Sequence, residues 1–91
     1  MFNKLKHIKD LRRQAQSMKN ALAAETVTVE KGGLIVVMNG NMEIVKIILN
    51  ENLAKGSQED RLVECLNEAI KKIQRLMAQK MREMGGLPGL T

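Results

Sequence analysis

Ninety-one residues make one domain at most, and a lone chain of this size buries only about 60–65% of its unfolded surface, a thin margin for stability without a partner. Apolar residues make up 44% of the chain, which excludes disorder by composition, and Phe2 is the sole aromatic, so the core has to be built from Leu, Ile, Val and Met. Cys65 stands alone, which excludes a disulfide framework within the chain and fits a reducing cytoplasm, while the net charge of +5 points toward a polyanion or a membrane surface.

That charge is unevenly spread. Lys and Arg outnumber acids six to one in residues 1–20, are outnumbered four to eight in residues 21–70, and lead five to one in residues 71–91. The first twenty residues are too densely charged to read as a secretory signal, and the longest apolar run, Leu34 to Met38, is too short to span a bilayer.

Residues 3–23 are predicted to form an amphipathic helix. Leu5, Ile8, Leu11, Ala15, Met18 and Leu22 recur every three or four positions and fall within an arc of roughly 140° at 100° per residue. Alternation predicts a strand over 26–30, with Val27 and Val29 on one side, and Lys31-Gly32-Gly33 marks a turn. The β-branched run 34–38 is the second strand. Asn39-Gly40 then signals a tight hairpin into a third strand over 42–49. The two alternating faces of that strand, Met42-Ile44-Lys46-Ile48 and Glu43-Val45-Ile47-Leu49, are both mostly apolar, and one helix layer cannot cover both.

Ser57 with Asp60 fits a helix N-terminus, and the second helix is predicted over 57–84, ended by Gly85-Gly86 and Pro88. Its apolar positions are Leu62, Val63, Leu66, Ile70, Ile73, Met77, Met81 and Met84. At about 42 Å this helix overhangs a compact domain, so its Met-rich end needs the first helix or a partner chain to pack on. Residues 85–91 are expected to be a flexible tail. The chain therefore reads as a single α+β domain, α-β-β-β-α, with a three-stranded antiparallel meander and two long helices.

Catalysis finds little to work with. Tyr and Trp are missing, and His7, three positions before Asp10, reads as a solvated helix contact. Cys65 lies beside the apolar face of the second helix as a buried thiol with no base placed to activate it. Lys31-Gly32-Gly33 lacks the strand–loop–helix context of a phosphate loop, and no metal-ligand spacing is present. The expectation is a protein without enzymatic activity, cofactor, metal or small-molecule substrate.

The basic residues remain. Lys6, Lys9, Arg12, Arg13 and Lys19, with Gln16, form one arc on the first helix about 130° from its apolar centre. Lys71, Lys72, Arg75 and Arg82 lie opposite the apolar face of the second helix, with Lys80 at its edge. Dipole compensation, a Glu68–Lys72 pair and plain solvation explain the second set better than ligand binding does when that helix is taken alone. They do not explain the first set, whose charge begins at the helix end where cations are unfavourable.

With one aromatic, base stacking is unavailable, which disfavours single-stranded partners and leaves the phosphate backbone of double-stranded DNA. A membrane surface is disfavoured by the absence of bulky anchors other than Phe2. The alternative is a dimeric protein-interaction scaffold whose charges serve only solvation.

The chain as a whole, over residues 3–90, resembles the YbaB/EbfC family of nucleoid-associated proteins. The carriers are Gln14-Ala15-Gln16-Ser17-Met18, the segment from Glu30 through Lys31-Gly32-Gly33 to Asn39-Gly40, Ile47-Ile48-Leu49-Asn50, the stretch Leu62 to Ala69, and Gly86-Leu87-Pro88-Gly89. The resemblance implies a tweezer-like homodimer with paired sheets at the hinge and helices as arms. It also implies duplex-DNA binding by those arms, and roles in nucleoid organisation and gene regulation in the bacterial cytoplasm. Asn50-Glu51 stands where the family often has Asp-Pro.

Overall fold

The computed structural model describes residues 2–83, with side chains from residue 7 onward; the expected helix end at Met84 and the tail 85–91 lie outside the described residues. The chain runs α1 (Phe2–Ala24), β1 (Thr26–Lys31), β2 (Leu34–Asn39), β3 (Ile44–Ile48) and α2 (Lys55–Glu83). The strands form an antiparallel meander in the order β1-β2-β3. This is the expected α-β-β-β-α architecture.

Lys31 pairs with Leu34, so Gly32 and Gly33 alone turn the chain from β1 to β2, with φ of 58° and 86°. Two successive positive φ values match the twist of a two-residue hairpin and are open to glycine at little cost. A Cβ on Gly33 would also lie 2.6 Å from Asn50 Nδ2, whose amide donates to Gly32 O at 2.8 Å. Gly33→Ala is therefore expected to destabilise the fold by about 1–2 kcal/mol, read as a lower urea midpoint. An unchanged midpoint would mean that the turn relaxes freely.

The second turn departs from the expected tight Asn39-Gly40 hairpin. Asn39 still belongs to β2, four residues follow, and the positive φ of 60° falls on Met42 rather than on Gly40. Asn39 is buried and its side chain ties the turn together. Its Oδ1 accepts from the Asn41 and Glu43 backbone N–H groups at 3.0 and 3.1 Å, and its Nδ2 donates to Glu43 Oε1 at 3.1 Å.

β3 is also shorter than the predicted 42–49, and a bulge interrupts its alternation. Val37 pairs with Lys46 but Met38 pairs with Ile44, leaving Val45 as the extra residue. Ile44 thus joins Ile47 on the helix-facing side, with Lys46 and Ile48 on the open side, so the two expected faces are each split.

The core is Val29, Leu34, Val36 and Met38 from the sheet against Cys65, Ala69 and Ile73 from α2. The buried line of α2 runs through two small residues, Cys65 and Ala69, where the helix comes close to the sheet. Leu62, Leu66, Ile70, Leu76 and Met77 flank it, while Val63, expected on the apolar face, is exposed at its margin. α2 packs on β1 and β2, and every residue of β3 is exposed.

α2 begins two residues before the expected start. Gln58 N–H already donates to Ala54 O at 2.9 Å, which places Ser57 inside the first turn instead of at the cap. Asn50 organises the approach. Its N–H donates to Gln58 Oε1 at 2.9 Å, its Oδ1 accepts from Asn52 N–H at 3.1 Å, and its carbonyl accepts from Leu53 N–H at 3.1 Å.

The chain is long and narrow, 63 × 26 × 16 Å, with a radius of gyration of 18.2 Å. A compact chain of this length would have about 12 Å. The difference comes from α1, which leaves the sheet and stays exposed from residue 7 through Ala21.

Candidate nucleic-acid interface

The first helix carries its cations in the open. Lys9, Arg12, Arg13 and Lys19 are exposed along α1, and no ion pair engages them among the described residues. Lys6 falls on the same helix, with its side chain outside the described part. The only described α1 side-chain hydrogen bond, Gln16 Nε2 to Asn20 Oδ1 at 3.0 Å, leaves the cations untouched.

On α2 the nominated residues divide. Lys71, Lys72 and Arg75 lie over the sheet beside β1, whereas Arg82 belongs to the last turn, past the level where α2 meets the β2–β3 turn. Lys72 Nζ donates to Thr28 O at 3.4 Å on the outer edge of β1. Lys71 and Arg75 line a shallow open cleft of about 480 Å³ together with Lys31, Glu64, Asn67 and Glu68. The structure therefore does not bring the two basic sets into contact, and only Arg82 of the second set sits on a projecting segment.

Ion pairs instead engage other cations: Lys31 with Glu68 at 3.1 Å, Arg61 with Glu64 at 2.9 Å, and Lys80 with Glu25 at 3.5 Å. Glu68 is thus committed to Lys31 rather than to the expected Lys72, because the hairpin brings Lys31 alongside α2. The Glu68 hydrogen bond and charge raise the Lys31 ammonium above its ordinary pKa. All three pairs are solvent-exposed, so each contributes little to stability.

Cys65 is fully buried, with Sγ 3.9 Å from Leu34 O, and burial pushes its thiol pKa up, opposite to what a nucleophile needs. No cluster of three His, Cys, Asp or Glu converges among the described residues. No described helix is long and apolar enough to cross a membrane.

Sequence reasoning missed the contribution of the β2–β3 turn, which it read as a hairpin only. Gly40 N–H donates to both Leu22 O and Glu25 O, at 2.9 and 2.8 Å, and Asn41 Nδ2 donates to Lys19 O at 3.1 Å. The turn thereby grips the end of α1: Leu22 O belongs to its last turn, Lys19 O to the turn before, and Glu25 O to the residue that follows the helix. The Asn-Gly-Asn triplet was the visible signal, but its long-range acceptors were not.

A small α+β domain with cations exposed along a projecting helix has the makings of a polyanion-binding protein. Comparison with known proteins narrows the class: the chain matches the YbaB/EbfC DNA-binding family over residues 1–87. A "Nucleoid-associated protein" of Caulobacter sp. strain K31 is 34% identical, over 94% of this chain and 98% of that protein. Another of that name, from Syntrophobacter fumaroxidans, is 29% identical over 98% of the chain and 89% of the relative. A third, from Mycoplasmopsis pulmonis, is 37% identical over 76% and 73% respectively. The chain belongs to the YbaB/EbfC DNA-binding family, a DNA-binding rather than an enzyme family.

Proposed function

We propose that the protein is a nucleoid component that binds duplex DNA through phosphate contacts, with little base readout, and so affects nucleoid organisation and gene expression. The carrying observation is that, among the described residues, Lys9, Arg12, Arg13 and Lys19 stand exposed on α1 with no ion pair engaging them, while Lys31, Arg61 and Lys80 are engaged by acids. Lys6 extends this set in sequence, and Lys71, Lys72, Arg75 and Arg82 are the contacts proposed for α2. The names of the relatives support a place at the nucleoid in the cytoplasm.

The active unit in this reading is a homodimer joined through β3. Ile44, Val45, Ile47, Ile48 and Leu49 are each between 41% and 53% exposed, an apolar edge and face that α2 leaves bare. Exposed strand edges of this kind pair with another chain, and a second copy would supply the burial that a small domain lacks.

The test is a fluorescence-anisotropy titration onto a labelled duplex of random sequence at several salt concentrations. If about 6–10 phosphates are neutralised, affinity falls by about 10³–10⁵ between 50 and 200 mM salt. No binding at low salt would overturn the proposal. One observation favours the scaffold reading in that event: Ile8, Leu11 and Met18 on the apolar stripe of α1 are 47%, 50% and 60% exposed, a seam fit for a partner helix.

A further inference from the structure

We propose that Gly40 and Asn41 are positioning residues for DNA binding: the β2–β3 turn is the joint that sets the direction of α1. This rests on the reading of α1 as a DNA-contacting arm. α1 is held at its C-terminal end, where Gly40 N–H binds Leu22 O in the last turn and Glu25 O just after it, and the Asn41 side chain reaches Lys19 O. α2 meets the same point. Met77 Sδ would lie 2.9 Å from a Cβ on Gly40, and Lys80 pairs with Glu25 at 3.5 Å, so helix end, turn and second helix are locked together.

Geometry makes this joint consequential. The 23 residues of α1 extend about 35 Å, so a swing of about 10° at its base moves the far end by about 6 Å. The phosphates of one strand rise about 3.4 Å apiece along the duplex axis, so that swing is large enough to take the cations near the tip out of register with the phosphates they would meet. Binding then has to order the arm as well as contact the DNA, and the affinity falls with every cation still present.

Two variants separate this from a general loss of structure. Gly40→Ala places a Cβ 2.5 Å from Leu22 O and forces the helix end away. Asn41→Ala removes one donor and leaves the backbone of the turn intact. Residual dipolar couplings of α1 and sheet amides are measured in both variants and the parent, alongside anisotropy on a random-sequence duplex.

In the parent, α1 and the sheet should fit one alignment frame. In the variants the α1 couplings should shrink while the sheet couplings persist, and duplex affinity should fall about 3- to 10-fold for Asn41→Ala. Unchanged α1 couplings in Asn41→Ala overturn the joint, and reduced couplings with unchanged affinity overturn its role in binding. Should Gly40→Ala not fold, Asn41→Ala decides alone. A parent protein that binds no duplex removes the positioning role together with the DNA reading, while the couplings separately report whether the joint exists.

Discussion

Replacing Arg12 and Arg13 together by alanine is expected to flatten the salt dependence of duplex binding by about 2 in slope for one engaged arm, and by about 4 if both arms of a dimer bind. The reasoning is counterion release: each neutralised phosphate contributes about 0.9 to the slope. Two lost contacts therefore lower the affinity by about 60-fold at 0.1 M salt, and four by a few thousandfold. Both guanidinium groups are exposed on α1 and neither is held in an ion pair among the described residues, so their removal strands no described acid. Fold stability should stay within about 0.5 kcal/mol of the parent, as for most surface substitutions. Anisotropy across a salt series reads the result directly, and the size of the change counts the engaged arms. An unchanged slope removes α1 from the interface.

Ile47→Glu is expected to convert the proposed dimer to a 10.2 kDa monomer in equilibrium sedimentation. Ile47 is exposed in the single chain and lies on the helix-facing side of β3 that α2 does not cover. A carboxylate there remains hydrated in the monomer but would be buried and unpaired in a β3 interface, a cost of several kcal/mol. Separating the protomers also uncouples the two arms, so duplex affinity should fall about 10²–10⁴-fold through lost avidity alone. A parent protein that sediments as a monomer would sink the assembly. A variant that stays dimeric would move the interface away from β3.

The elements were largely legible because their signals are local. Leu5 to Leu22 at helical spacing marked α1, the Gly32-Gly33 pair marked its hairpin, and the apolar spacing from Leu62 marked α2. The basic arc of α1 was legible for the same reason, since angular position on a helix follows from residue number alone. The second turn misled because Asn39-Gly40 is also a strong local signal, yet Gly40 is used for close approach to Leu22 O and takes no positive φ. The start of α2 shifted because Asn50 and Gln58 bind each other across eight positions, a contact that no cap motif encodes.

The order and type of the five elements, the amphipathic character of both helices and the basic arc of α1 are written in the chain's local pattern. Each follows from spacing along the chain, because helical and strand periods are properties of neighbouring residues. Tertiary structure alone decided which line of α2 enters the core, since Cys65 and Ala69 are buried for being small enough to let the helix approach. It decided that Lys71, Lys72 and Arg75 lie over the sheet while α1 stands clear of it, and that β3 is left bare. Those outcomes depend on where one helix comes to rest on three strands, and long-range packing sets that resting place.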